Sequence, residues 1–111
     1  MKPALTALFA GLLLCSGQTL AQTQFRSLSG TVTDKQHEPL RGAVVEVENL
    51  GDQEVQSFLT DKDGRYNFKR LDGNTDYSFW ATYRSHRSRT RGISKFNGKP
   101  AVVVNLTIKL D

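Results

Sequence analysis

From residue 28 onward the chain alternates apolar and polar side chains with a period of two, the spacing that puts every second side chain on the same face of a β-strand. Seven segments show this pattern: Leu28–Thr33, Ala43–Glu48, Val55–Thr60, Arg65–Lys69, Tyr77–Tyr83, Thr90–Lys95 and Ala101–Leu110. No window after residue 21 keeps an apolar period of 3.6 residues, so no helix is predicted there. Short strands at this spacing predict an all-β protein built as a seven-stranded two-sheet sandwich.

The segment Asp61-Lys62-Asp63-Gly64 separates the third and fourth predicted strands. An aspartate can accept a hydrogen bond from the backbone two residues on, and glycine tolerates a positive φ, so the segment predicts a hairpin turn. The two aspartates are also compatible with part of a calcium loop. However, a calcium-binding EF-hand loop has glycine at its sixth position, and here glycine is fourth. A turn is therefore the preferred interpretation.

The first 21 residues have the features of a secretory signal peptide, and we expect them to form a signal helix. Lys2 supplies a positive charge, and Ala4–Leu14 is an uncharged, largely apolar run. At 1.5 Å per residue this run is about 16 Å long as a helix, too short for a hydrocarbon core of roughly 30 Å. Thr19 and Ala21 are small residues at the −3 and −1 positions, which predicts cleavage after Ala21.

The single cysteine, Cys15, lies inside this signal peptide. A lipoprotein signal requires a small residue before the cysteine, and Leu14 stands there, so the pattern argues against a lipid anchor. The predicted product is a disulfide-free protein, periplasmic or secreted from a bacterium, with no transmembrane segment after cleavage. We expect three parts: a signal peptide (1–21), a short polar lead-in (22–27) and one β-sandwich domain (28–111).

Three stretches of the sequence resemble one known family. They are Gly30–Asp34 followed by Glu38–Val47, then Thr60–Phe68, then Asp76–Ala81. In order and spacing they resemble carboxypeptidase regulatory-like domains, and the chain is similar to a small secreted, stand-alone member. The resemblance implies a transthyretin-like, carbohydrate-binding-like Greek-key β-sandwich. It also implies a non-catalytic module of a kind linked with folding support, protein interaction or carbohydrate binding.

One position departs from the family pattern. The family usually has glycine three residues after the aspartate of its first turn, and here His37 follows Asp34 at that distance. Histidine adopts a positive φ less readily than glycine does. We therefore expect this turn to be longer or wider than in the family.

The residue inventory does not predict an enzyme. A catalytic zinc site needs three protein ligands together with a general base, whereas the chain has only His37 and His86, in separate loops. No cysteine follows residue 21. We therefore expect no catalytic residue, no metal site and no cofactor.

Trp80 is the first candidate binding residue. If Tyr77 and Phe79 face the core, Trp80 faces solvent, where it can stack on a sugar ring or anchor a protein partner. The alternative is that Trp80 covers the edge of the sandwich or packs beside arginine side chains. Tyr83 falls on the inward register at the end of the same strand, and is a candidate rim aromatic residue.

Positive charge is concentrated in residues 84–95. The chain has 15 Lys and Arg against 11 Asp and Glu, a net charge of +4. The basic residues of this stretch, with no acid among them, are Arg84, Arg87, Arg89, Arg91 and Lys95. Such a stretch can bind an anionic polysaccharide or a membrane surface. Alternatively its arginines pair across the sheet with Glu46, Glu48 or Asp76. Export and the lack of interleaved aromatics argue against nucleic acid.

Together these features predict a secreted, non-catalytic β-sandwich module that binds an unknown protein or an envelope glycan. The alternative is a carbohydrate-binding module that uses Trp80, Tyr83 and the neighbouring arginines.

Overall fold

The computed structural model describes residues 24–111. The predicted signal peptide, its cleavage point and Cys15 lie outside them. The described chain forms nine β-strands: β1 (Phe25–Thr33), β2 (Val44–Asn49), β3 (Val55–Leu59), β4 (Arg65–Asp72), β5 (Tyr77–Tyr83), β6 (His86–Arg87), β7 (Arg91–Ile93), β8 (Ala101–Val103) and β9 (Leu106–Thr107). This part of the protein contains no helix long and apolar enough to cross a membrane.

The strands form two sheets that face each other. In the first, which we call the β1 sheet, the order is β4-β1-β8, and β9 pairs with β1 beyond β8. In the second, the β2 sheet, the order is β3-β2-β5-β6, and β7 also pairs with β5. Pairing is antiparallel except that β8 and β9 run parallel to β1. The predicted all-β sandwich is confirmed.

The core lies between the sheets and is built from the inward-facing side chains of alternating positions. The largest fully buried side chains are Tyr66, Phe79, Leu28, Leu71, Ile108, Val32, Val45 and Val47. Burying each large apolar side chain stabilises the fold by roughly 1.5–3 kcal/mol relative to leaving it exposed. The period of two therefore predicted correctly which side chains form the core.

The first strand begins at Phe25, three residues earlier than the sequence predicted, and takes in part of the expected polar lead-in. Arg26 is buried, and its guanidinium donates hydrogen bonds to the carbonyl oxygens of Ser94 (2.9 Å), Asn97 (3.3 Å) and Thr75 (2.5 Å). The β1–β4 register shifts between Arg26 and Leu28. Arg26 thus ties the start of β1 to two loops distant in sequence.

The predicted last strand is split between β8 and β9. At the break, the Val104 carbonyl accepts a hydrogen bond from the Tyr66 hydroxyl (2.6 Å). The Asn105 side-chain oxygen accepts one from the backbone N–H of Thr31 (3.1 Å), where a regular ladder would use a carbonyl. Apolar alternation survives the break, since Leu106 and Ile108 are both buried.

The turn after β1 is tight, which corrects the expectation of a wider one. His37 adopts a φ of 66°. Its N–H donates to the Asp34 carbonyl (3.1 Å), and the Asp34 side chain accepts from the N–H groups of Gln36 (2.8 Å) and Glu38 (2.9 Å). The aspartate holds the turn closed, so the histidine takes the left-handed conformation instead of forcing the loop open.

Replacing His37 by glycine is expected to stabilise the fold by up to about 1 kcal/mol, because the left-handed conformation costs glycine nothing sterically. Urea unfolding followed by circular dichroism measures the change. Gln36→Gly in the same turn is the control, and we expect it to leave stability unchanged or lower. An equal gain from both variants would show that strain at His37 is not the cause.

The turn between β3 and β4 has the same design, which confirms the predicted turn but not the predicted hairpin, because β3 and β4 belong to different sheets and do not pair with each other. The Asp61 side chain accepts hydrogen bonds from the N–H groups of Asp63 and Arg65, both at 2.9 Å. The bond from Arg65 is the largest of the effects that lower the Asp61 pKa. Gly64 has a φ of 72°, and a Cβ there would lie 2.6 Å from the Val32 carbonyl oxygen. The Asp61 carboxylate therefore acts as a turn cap.

Candidate functional site on the outer face of the β2 sheet

Strand pairing brings Trp80 to the middle of the solvent-facing side of the β2 sheet. Trp80 lies opposite Glu46 across β5 and β2, and Thr82 lies opposite Arg87 across β5 and β6. Because the alternate residues Phe79 and Ala81 are fully buried, Trp80 and Thr82 must face outward. The predicted outward orientation of Trp80 is thus what the strand geometry produces.

Trp80 is half-buried between an acid and a base. Its indole N–H donates a hydrogen bond to Oε1 of Glu46 (3.2 Å). The Arg87 guanidinium carbon lies 4.4 Å from the centre of the ring, a distance at which a cation is attracted to the π-system. One ring face and the polar edge of Trp80 are therefore already occupied by neighbouring side chains. Of the alternatives predicted from the sequence, the structure thus agrees with the one in which Trp80 packs beside an arginine side chain.

Two residues with positive φ form the turn between β5 and β6. Arg84 has a φ of 48° and Ser85 a φ of 68°, the pattern of a type I′ hairpin turn, which usually contains Asn-Gly. The Arg84 guanidinium carbon lies 5.1 Å from the ring centre of Tyr83. Tyr83 is half-buried and packs against the core. Arg84 therefore lies next to the ring of Tyr83, as Arg87 lies next to the ring of Trp80.

The structure does not combine Trp80 and Tyr83 into one platform. Trp80 is on the outer face of β5, whereas Tyr83 follows the inward register and contacts the core. A sugar ring lying on the outer face can reach Trp80 but not the face of Tyr83. The proximity in sequence that suggested a shared aromatic surface places the two rings on opposite sides of the sheet.

The basic stretch is divided among separate surfaces. Arg87 pairs with Thr82, but Arg91 pairs with Phe79, one residue out of the regular register. This extra residue acts as a β-bulge and reverses the direction of the side chains that follow it. Ser88 is buried at the bend, where its hydroxyl accepts a hydrogen bond from the N–H of Ala81 (2.9 Å). The outer face keeps Arg87, while Arg91 points to the inner side at the edge of the sheet.

The remaining basic residues of the stretch also lie away from the outer face that contains Arg87. Arg89 and Arg91 line one cleft with residues of β9. Lys95 is farther along, where its backbone N–H donates to the Asp76 carboxylate (2.6 Å) and its ammonium lies 5.4 Å from the Phe96 ring centre. The predicted single basic loop is therefore not one surface.

Within residues 24–111 no group of three or more His, Cys, Asp or Glu side chains is placed to hold a metal ion. His37 lies in the turn after β1, whereas His86 is the first residue of strand β6.

Sequence reasoning missed the apolar margin of this face. Val55 and Leu59, on the edge strand β3, are 49% and 64% exposed. They pair with Glu48 and Val44, which puts them on the same outer face as Trp80. The alternation in β3 was visible, but its position at the sheet edge was not. The candidate site thus consists of Glu46, Trp80 and Arg87, bordered by exposed apolar side chains.

The family model described as the carboxypeptidase regulatory-like domain matches residues 27–110. The comparison with curated proteins finds no match. Among solved structures, chlorocatechol 1,2-dioxygenase from Pseudomonas putida aligns with a TM-score of 0.61 at 12% identity, over 83% of this chain and 63% of the other. BcpA, the major pilin subunit of Bacillus cereus, aligns with a TM-score of 0.64 at 9% identity, over 79% of this chain and 31% of the other.

A third neighbour is catechol 1,2-dioxygenase from Acinetobacter sp. ADP1, with a TM-score of 0.56 at 14% identity, over 83% of this chain and 54% of the other. The chain thus spans less than two thirds of the length of these proteins. The expectation from the residue inventory that the chain is not an enzyme is contradicted, because solved structures of this shape include dioxygenases. The same sandwich occurs in a pilin subunit, so the shape is shared by enzymes and non-enzymes.

Proposed function

We propose that this chain, which belongs to the carboxypeptidase regulatory-like domain family, is an exported binding module that recognises an acidic protein partner through the outer face of the β2 sheet. The main contact group is the guanidinium group of Arg87. The signal peptide predicted for the first 21 residues supports a location outside the cytoplasm, in the periplasm or beyond the cell.

The observation that carries this proposal is the packing of Arg87 on Trp80. An exposed arginine side chain normally loses considerable rotamer entropy when it binds. With its guanidinium held 4.4 Å from the indole ring, Arg87 is already restricted, so less entropy is lost on contact with a partner. Pre-positioned arginines beside aromatic rings are typical of protein interfaces.

The same packing favours a carboxylate-bearing partner over a neutral sugar. Stacking on a sugar needs a free ring face, and Arg87 covers one face of Trp80. The planar guanidinium can bind a carboxylate through two parallel hydrogen bonds. The exposed apolar residues Val55 and Leu59 extend the face and give a protein partner apolar surface to cover. An acidic polysaccharide shares the charge but has little apolar surface.

Trp80 is the only tryptophan in the chain, so its fluorescence reports on this face directly. An oligoglutamate peptide, titrated at low ionic strength, is expected to change the Trp80 emission with a saturable curve. Arg87→Gln is expected to weaken binding roughly tenfold, since a charge-assisted hydrogen bond is worth about 1.5–3 kcal/mol. Arg89→Gln is the control, because it removes the same charge from another surface.

Parallel titrations with a polyuronate and a neutral oligoglucan separate the alternatives, and they are followed by isothermal titration calorimetry because the Trp80→Ala variant has no tryptophan emission. The proposal predicts binding of the peptide, weakened by Arg87→Gln and unaffected by Arg89→Gln. Neutral-sugar binding that is lost in Trp80→Ala and kept in Arg87→Gln would establish the carbohydrate-binding alternative instead. Equal weakening by both arginine variants would show attraction to overall charge alone and would reject the site.

A further inference from the structure

A second surface, on the side of the sandwich where the two sheets meet, gathers positive charge from three separate segments. It is a cleft of about 320 Å³ between β7 and β9. Its cationic lining residues are Lys35, Arg89, Arg91 and Lys109. No aspartate or glutamate is among the residues that line it. Four positive side chains that line one cleft repel one another, and this repulsion raises the free energy of the empty cleft. A bound anion offsets the repulsion.

The bulge after β6 is what brings two of these charges into the cleft. In an unbroken ladder Arg87, Arg89 and Arg91 would all face outward with Trp80, since they are spaced by two. The shift of register pairs Arg91 with Phe79, an inward-facing residue, and so turns it toward β9. Ser88 fixes the bend with bonds to Ala81 on both its N–H (2.8 Å) and its hydroxyl (2.9 Å).

The opposite wall of the cleft is formed by β9 and the residues that follow it, and strand pairing holds this wall in place. β9 pairs with β1 through Val32–Leu106 and Thr33–Thr107, and Leu106 is buried. Lys109 follows β9, and Lys35 extends from the tight Asp34 turn. Asn105 and Thr107 add neutral hydrogen-bonding groups to the lining. Strand, bulge and turn therefore position the cations independently of any ligand.

We propose that this cleft is an oxyanion-binding site for a phosphate ester, distinct from the outer face on which the proposed function rests. Arginine forks and lysine ammonium groups together are the donors that suit a tetrahedral oxyanion. The volume is at the lower end of the range typical of small-molecule sites, so it accommodates a phosphate with a small organic group rather than a folded partner. Hydroxyl and amide groups beside the cations are suited to hydrogen-bond that organic portion.

The test is a titration of the isotope-labelled protein with a hexose phosphate, followed by amide chemical shifts. We expect saturable shifts at Arg89, Arg91, Asn105 and Thr107. Arg89→Gln and Arg91→Gln are each expected to weaken binding by about tenfold. Both side chains are exposed, so the variants are expected to fold, which thermal melting checks. Arg87→Gln is the control of equal charge, with no expected effect.

Titrations with inorganic phosphate and with neutral hexose show how much of the affinity comes from the phosphate group and how much from the sugar. Tighter binding of the ester than of inorganic phosphate supports a sugar-phosphate ligand, and equal binding supports a site for free phosphate. Binding of neutral hexose as tight as that of the ester would overturn the proposal. So would no saturable shift at millimolar ligand, or equal weakening by Arg87→Gln and Arg91→Gln. Because the acidic-peptide test depends on Arg87 and not on Arg91, the two proposals can fail separately.

Discussion

Replacing Gly30 by alanine is expected to destabilise the fold by about 3 kcal/mol or more, the upper range for forced overpacking. A Cβ at Gly30 would lie 1.8 Å from the Val104 carbonyl oxygen, far inside any contact distance. The obstacle is backbone and cannot rotate away, so β1 and the β8–β9 connection must separate. Thermal unfolding is expected to show a fall in Tm on the order of 15 °C.

Gly98→Ala is the matched control for this variant. No atom lies within 4 Å of a Cβ built at Gly98. We expect its Tm to stay within a few degrees of the wild-type value. A Gly30→Ala variant as stable as Gly98→Ala would show that the close approach of Gly30 to Val104 does not exist in the folded protein.

Tyr66→Ala is expected to destabilise the protein by about 3–5 kcal/mol, as large-to-small aromatic core changes do. Tyr66 is 2% exposed and is the largest fully buried side chain. Its loss removes ring contacts and leaves the Val104 carbonyl without the Tyr66 hydroxyl as donor. Tyr66→Phe keeps the ring and separates the two effects, with an expected loss of about 1–2 kcal/mol. Urea unfolding of both variants measures the difference.

The same pair of variants has a pH signature. Burial raises the pKa of Tyr66 above the ordinary tyrosine value near 10. The unfolded chain therefore loses this proton at a lower pH than the folded chain does. The resulting contribution to stability is complete below pH 10 and is lost as pH rises above it. Tyr66→Phe is expected to show a shallower alkaline loss of stability than the wild type; identical slopes would place Tyr66 in contact with water.

Sequence alternation predicted most of the strands and nearly all of the core. It succeeded where one local rule decides the outcome: Val45 and Val47 face inward because the period of a strand is two. It failed where the partner is distant in sequence. Arg26 reads as part of a polar lead-in, and only the folded chain brings it the carbonyls of Ser94 and Thr75.

The candidate site was predicted in part, for the same reason. The outward orientation of Trp80 follows from local alternation, but its contacts with Glu46 and Arg87 depend on register between strands. The bulge that separates Arg87 from Arg91 carries no glycine or proline signal in Ser-Arg-Thr. One extra residue there divides a basic stretch that looks continuous in sequence into two surfaces.

The fold places few limits on function, because dioxygenases and a pilin subunit share it at 9–14% identity. What distinguishes this chain is its side chains. The outer face of the β2 sheet has Arg87 held against Trp80, and the cleft between β7 and β9 has four cations and no acid among its lining residues. Each proposal rests on one of these surfaces, and the two surfaces share no charged residue.

The most direct test of the binding face on the β2 sheet is a map of amide chemical shifts as an oligoglutamate peptide is added to the isotope-labelled protein. We expect the largest shifts at Glu46, Trp80 and Arg87, together with a shift of the Trp80 indole N–H. Residues 105–109 are expected to be unaffected at the same peptide concentration. Shifts that concentrate at Arg89, Arg91 and β9, or that spread evenly over all basic residues, would contradict the assignment of the binding face.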